Sequence, residues 1–269
     1  MDLKTTLKEV IPDNALKLLS GRFEVIGDIA IIQIPPGCLP YKEEIADAVF
    51  SIRKNVRTVL QKTSSIGGEC RVGGFEFLKG ENKTKIVHKE AGYLYRTDLS
   101  SVFFSTKLSF ERMRISSVVN PDEKIIIPFC GCGPFAVPAA DKGAEVLGVE
   151  KNPSACRYFL ENLKLNGIRD KGDVICADAH SIPEFFNERD CFDRAIIPTA
   201  YGMDEALFKT LPLVKKGGTI HFYTFKAKEE RENLIQNLKE KGLHTDYHRC
   251  CGNIAPGIHR YVFDLKKMH

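Results

Sequence analysis

Ile125-Ile126-Ile127-Pro128-Phe129-Cys130-Gly131-Cys132-Gly133-Pro134-Phe135 is the stretch that decides the fold. Its β-branched apolar run reads as a buried strand, its two glycines as a tight turn, and Pro134 suits the first position of a helix. Gly131 and Gly133 let the backbone approach a ligand closely. A glycine–x–glycine turn is weak evidence alone, and the third glycine of the dinucleotide fingerprint is absent. The residues downstream add weight. Glu150 closes the next apolar run, 17 residues beyond Gly133, where a carboxylate can accept both hydroxyl protons of a ribose. Lys151 and Asn152 follow it and lead into Pro153, another helix start. Asp178, followed by Ala179, closes a third run and is placed to receive an adenine amino group. Glycine, acid and acid at three successive strand ends, with this short turn, point to S-adenosylmethionine rather than NAD. The competing reading is that Glu150 and Asp178 are helix caps or surface acids.

Outward from this stretch the second part of the chain alternates strand and helix. Strands are expected at 124–129, 145–149, 173–176, 194–197 and 219–225, with helices at 135–142, 153–166, 204–209 and 228–241. Two more strands are expected at 243–249 and 258–265. Such alternation predicts an α/β domain, a mostly parallel sheet with helices on both faces, whose ligands sit beyond the carboxyl ends of the strands. The first part reads as a small α+β domain. It has a strand at 29–34 stopped by Pro35-Pro36-Gly37, then a helix over 41–60 with Ile45, Val49, Ile52, Val56 and Val59 on one stripe. Strand-like pieces follow at 70–78, 84–88 and 93–97, and a helix at 110–119. The predicted division is 1–108 for substrate positioning and 109–269 for cofactor binding.

The composition of the 269 residues is that of a soluble globular chain: 43% hydrophobic, 28% charged, 9% aromatic and no Trp. No run approaches a membrane span, and the start of the chain has no signal-peptide core, so a cytoplasmic location is expected. Nine Cys at irregular spacing, without a C-x-x-C pair, read as buried free thiols of a reducing compartment. His244, His248, Cys250 and Cys251 crowd one strand end without a second ligand group, so no metal is expected. The net charge of +4 is unevenly placed: residues 49–114 hold 13 Lys and Arg against 6 Asp and Glu. A polyanion would dock there, although a solvated basic face reads the same from a count.

Several stretches carry a resemblance: Glu150-Lys-Asn-Pro, Glu161-Asn-Leu-Lys-Leu-Asn166 and Gly217-Gly-Thr-Ile-His-Phe-Tyr223, with Gly27 to Ile34, His88-Lys-Glu90, Glu111-Arg112 and Ala255-Pro-Gly-Ile-His259. Together they cover nearly the whole chain. The chain resembles the archaeal and eukaryotic tRNA (guanine-37 N1) methyltransferases, and equally the related wybutosine-pathway aminocarboxypropyltransferases. The resemblance implies a class I, Rossmann-like methyltransferase domain after a small substrate-positioning domain, without the N-terminal tRNA-elbow domain of the guanine-37 enzymes. It also implies two catalytic residues: Arg71, in Gly68-Glu69-Cys70-Arg71, and Glu111, forty residues on. The chemistry suits them. N1 of guanine must lose a proton as the methyl arrives, which needs a carboxylate, and charge building on O6 suits a guanidinium. Surface pairing or capping is the competing reading. Expected cofactor contacts are Phe129, Gly131, Gly133, Phe135, Glu150, Lys151, Asn152, Asp178, Ala179 and Pro198, with Tyr201, Lys107 and Arg112 toward the substrate.

Departures from the family pattern leave the acceptor open. Pro128 stands where an acid usually precedes Phe, and Ser105-Thr106-Lys107 replaces Ser-Pro-Arg. Pro198-Thr199-Ala200 replaces the Asn-Leu-Pro that holds the target base. N1-methylation of guanine 37 is the leading reading, followed by methylation of a protein nitrogen such as a histidine ring, then aminocarboxypropyl transfer to a wyosine precursor. A binding module without chemistry is the remaining reading. The expected partner is tRNA or a protein, and the expected state a monomer.

Overall fold

The computed structural model describes residues 2–64 and 72–269, which divide into two compact units. The first comprises residues up to Glu90 together with Leu94–Phe104, and the second Ala91–Tyr93 with Ser105–His269.

In the first unit, α1 (Leu3–Leu7) and α2 (Asp13–Leu18) precede β1 (Glu24–Ile26) and β2 (Ile29–Ile32). Then come α3 (Lys42–Ile52), β3 (Thr58–Lys62), β4 (Phe75–Gly80), β5 (Lys85–Glu90) and β6 (Tyr93–Asp98). The sheet order is β1-β2-β3-β4, with β2 and β3 parallel and both outer pairings antiparallel; β5 and β6 pair separately. Leu3, Leu7, Ile45, Val49 and Val59 meet in the core. The expected helix over 41–60 is corrected here. It ends at Ile52, and Thr58–Lys62 is a buried strand. Val56 and Val59 continue the helical phase only by coincidence. A short β-branched run fits both periods, and pairing on both edges of β3 decides for the strand.

The second unit opens with α4 (Ser109–Ser116), followed by β7 (Lys124–Pro128), α5 (Ala136–Asp141), β8 (Glu145–Glu150), α6 (Pro153–Leu165) and β9 (Gly172–Cys176). It continues through α7 (Ile182–Phe185), β10 (Phe192–Pro198), α8 (Ala206–Thr210), β11 (Val214–Ala227), α9 (Glu230–Glu240), β12 (Leu243–Ala255) and β13 (Ile258–Lys267). The sheet runs β12-β13-β11-β10-β7-β8-β9. From β11 to β9 all pairings are parallel, whereas β13 and β12 add an antiparallel edge. The chain leaves β7 toward β8 and β9 and returns on its other side at β10. That reversal opens a crevice at the carboxyl ends of β7 and β10. Ile126, Val149, Ala195, Ile197, Ile220, Phe222 and Phe263 form a buried core along the sheet. No helix is long and apolar enough to cross a membrane among the described residues.

Candidate active site

The turn after β7 is the first wall of the crevice. Phe129 (φ 55°), Gly131 (φ 55°) and Gly133 (φ 88°) all take left-handed backbone, which is costly for Phe129 and natural for the glycines. A Cβ on Gly131 would meet nothing within 4 Å, so that position lies open toward the crevice, whereas at Gly133 it would press on the Phe159 ring at 3.2 Å. The Cys132 carbonyl accepts a 2.8 Å hydrogen bond from buried Asn162 of α6, which pins the turn from below. Phe135, buried, starts α5.

β8 lies beside β7, so Glu150 at its end faces the same turn. Glu150 Oε2 accepts the Gly131 N–H at 3.0 Å, and Oε1 accepts the Asn152 N–H at 2.8 Å. Burial pushes its carboxyl above the usual range against the pull of those two amides. A carboxylate has about four acceptor sites, so the two oxygens retain capacity for two hydroxyl donors. Asn152 caps α6 by accepting the Ser154 N–H, and Pro153 takes the helix start. At the end of β9, Asp178 accepts from the His180 amide at 2.9 Å and meets Lys151 Nζ at 3.5 Å. The His180 amide, His180 ring and Lys151 hold its carboxyl below the usual range. Ala179 is buried beside it, and the Phe129 and His180 rings meet edge to face at 6.3 Å. Pro198 ends β10, where the buried Thr199 hydroxyl donates to the Tyr223 carbonyl. An adenosyl group fits this set: an open glycine cradle, a ribose-type acid and an adenine-side acid on adjacent strands.

Glu111 belongs to the same unit. It sits in the first turn of α4 and is 1% exposed. Its Oε2 accepts the Tyr223 hydroxyl at 3.0 Å and Arg114 Nε at 3.0 Å. Its Oε1 is itself buried and pairs with Arg249 Nη2 at 2.5 Å. The Tyr223 ring packs 5.5 Å from Phe135. Glu111 is thus two contacts from the glycine turn. Its oxygens are surrounded by fixed donors from Tyr223, Arg114 and Arg249.

Other expected residues fall elsewhere. Arg71 lies outside the described residues. Arg112, expected to face substrate, is turned inward instead: it is 3% exposed, donates to the Ser105 carbonyl at 2.8 Å and lies 6.0 Å above the Phe135 ring. Lys107 is exposed on the short turn before α4. Tyr201 is 65% exposed and 5.8 Å from the Phe225 ring, so it is a surface aromatic rather than a core residue. The eight described cysteines are free, but Cys176 and Cys250 are exposed, contrary to the expectation of buried thiols. No group of three or more metal-type ligands is assembled among the described residues. Sequence reasoning missed Arg114, Tyr223 and Arg249. The signal for Tyr223 was a polar residue inside the apolar run of β11. In the first unit, Glu24, Lys62, Phe75, Phe103 and Phe104 help line a separate, largely apolar cavity.

The fold and the glycine–acid–acid strand ends define a class I S-adenosylmethionine-dependent transferase. The family model described as TRM5/TYW2 methyltransferase domain matches residues 86–248, and that described as TYW2 N-terminal domain matches 3–84. The chain belongs to the TRM5/TYW2 family. It is 34% identical over 215 residues to the tRNA (guanine(37)-N(1))-methyltransferase Trm5b of Pyrococcus abyssi, covering 80% of this chain and 63% of that one. It therefore spans less than two thirds of that relative. It is 30% identical to the tRNA(Phe) (4-demethylwyosine(37)-C(7)) aminocarboxypropyltransferase of Pyrococcus horikoshii, over 98% of this chain and 95% of the other. To the tRNA 4-demethylwyosine(37)-methyltransferase Taw21 of Saccharolobus solfataricus it is 32% identical, over 91% and 93%. Among solved structures, the complex of aTrm5 with tRNALeu superposes with a TM-score of 0.88 at 26% identity, covering 100% of this chain and 78% of that one. Pyrococcus horikoshii TYW2 in complex with MeSAdo gives 0.79 at 28% identity, over 98% and 97%.

Proposed function

We propose that this chain transfers the methyl group of S-adenosylmethionine to the base at position 37 of tRNA, with guanine N1 as the acceptor, and that it works as a cytoplasmic monomer. The observation that carries the reading is Glu111: a buried carboxylate two contacts from the cofactor turn, with one oxygen held by Tyr223 and Arg114 and the other paired with Arg249. A ring N–H that must be deprotonated needs such an acceptor. When bound, S-adenosylmethionine supplies a sulfonium-activated methyl, an electrophile that needs positioning rather than a metal. Gly131, Gly133, Glu150 and Asp178 would hold its adenosyl part. Residues 1–108 would bring the RNA, through the Lys and Arg residues of 49–108 and the apolar cavity of the first unit, whose Phe75, Phe103 and Phe104 offer faces to an unstacked base. Exposed Tyr201 offers a stacking face where Pro198 replaces the family's base-holding Asn.

Transfer of the aminocarboxypropyl group to a wyosine precursor is the second reading. It is favoured by the TYW2 match over residues 3–84 and by near full-length alignment with the Pyrococcus horikoshii transferase. Methylation of a protein side chain has no support from the relatives, whose names all specify tRNA. Separate incubations with G37 tRNA and with demethylwyosine tRNA, followed by chromatography of the cofactor product and the digested nucleosides, decide the matter. S-Adenosylhomocysteine with 1-methylguanosine is the expected result. Methylthioadenosine would establish the second reading, and no product from either tRNA would overturn both.

A further inference from the structure

A chain of buried and half-buried polar side chains runs behind Glu111. Arg114, on the next turn of α4, donates to Glu111 and also through Nη1 and Nη2 to both oxygens of Asp264 on β13, at 2.5 and 3.1 Å. Asp264 Oδ1 lies 2.7 Å from Nδ1 of His221 on β11. Nε2 of that ring lies 2.7 Å from Nη1 of Arg194 on β10. Arg194 is anchored by Glu123 at 2.7 and 3.0 Å and by the Val118 carbonyl at 2.8 Å. His221 is 1% exposed and Arg194 6%.

The polarity of this chain has one consistent solution. A guanidinium only donates, so His221 Nε2 accepts from Arg194 and carries no proton. The ring proton is therefore on Nδ1 and points to Asp264, whose oxygens accept from His221 and Arg114. Burial holds the His221 ring neutral, shifting its pKa down against the pull of Asp264. Arg114 in turn has a single orientation in which it serves Asp264 and Glu111 together. Buried charge networks of this kind seldom add stability over apolar packing of the same volume. What this one supplies is geometry: every link removes a freedom from the next, and the last link is the carboxylate.

We infer that Arg114, Asp264 and His221 are positioning residues that fix the Glu111 carboxylate through its Oε2, and so set the orientation in which it meets the acceptor proton. This rests on the reading of Glu111 as proton acceptor.

A double-mutant cycle tests it with tRNA and labelled S-adenosylmethionine. His221→Phe should lower kcat on the order of 10- to 100-fold, the effect of a misplacement of about 1 Å. KM for tRNA and the calorimetric Kd of the cofactor should stay within about twofold. His221→Asn, which keeps a donor toward Asp264, should recover most of kcat. In a Glu111→Gln background His221→Phe should change kcat by less than about twofold, because a residue that acts through another is non-additive with it. An equal loss in both backgrounds, or a His221→Phe kcat equal to the parent's, overturns the inference. Undiminished activity of Glu111→Gln alone overturns the reading of Glu111 and the inference with it. Independently of activity and of any variant's folding, ¹⁵N NMR of the histidine-labelled parent protein should show His221 neutral and protonated at Nδ1. An Nε2-protonated ring would overturn the relay.

Discussion

Glu150 accepts the N–H of Gly131, nineteen positions back in the chain, at 3.0 Å, and so ties the end of β8 to the turn that follows β7. One carboxylate both builds the glycine cradle and borders it. Glu150→Gln keeps the shape but replaces one acceptor oxygen with a donor. Hydrogen bonds to a charged group contribute about 1.5–3 kcal/mol, so the Kd of S-adenosylmethionine should rise roughly 10- to 100-fold by calorimetry. Asp178→Ala should weaken binding less, by about tenfold or under, because Asp178 also serves His180 and Lys151. A larger loss at Asp178 than at Glu150 would contradict this ranking.

The two glycines of the turn should separate folding from binding. Gly131→Ala adds a methyl to open space in left-handed backbone, at a cost of about 1–2 kcal/mol, and should leave a folded protein with poor cofactor affinity. Gly133→Ala adds the same backbone strain and presses on Phe159 at 3.2 Å. Its thermal midpoint should fall further than that of Gly131→Ala, as read by circular dichroism.

Arg249 pairs with a buried carboxylate at 2.5 Å and lies 4.4 Å over the Phe110 ring. Arg249→Ala should cost about 1–3 kcal/mol in urea unfolding, because it strips a partner from a desolvated charge. Arg157→Ala, which breaks an exposed pair with Glu161 at 3.9 Å, should cost less than about 0.5 kcal/mol. Equal effects would show that Arg249 contributes only as a surface charge.

The alternating frame of the second unit is legible because its strands are apolar runs closed by glycine turns or acids. Glu150 and Asp178 stand out as the first polar residues after such runs. The end of α3 was not legible, since Val56 and Val59 satisfy the helical and the strand period alike and only pairing with β2 and β4 distinguishes them. Arg112 misled for a related reason: it neighbours Glu111, but on a helix adjacent residues face different directions. The relay behind Glu111 is invisible in one dimension. Glu111, Arg194, His221 and Asp264 come from four elements, and nothing in the spacing relates them. The trace they leave is a polar residue inside each apolar strand.

Two members of that relay contribute to the acid stability. Burial works to raise the Asp264 carboxyl, but His221 and Arg114 prevail and hold it at about 2. A depressed carboxylate stabilises above its unfolded pKa, so about 2 kcal/mol should be lost between pH 4 and 2. His221 is depressed by burial, so the unfolded chain takes up the proton first as pH falls below 6.5 and stability declines there as well. Urea midpoints measured from pH 7 to 2 should fall in both windows. His221→Asn should flatten the first and keep the second.

The account turns on where the adenosyl group lies. A crystal soaked with S-adenosylmethionine should place its ribose against Glu150, its adenine beside Asp178 and its amino-acid arm over the Gly131–Gly133 turn. Density for the adenosyl group anywhere else on the protein would contradict the account.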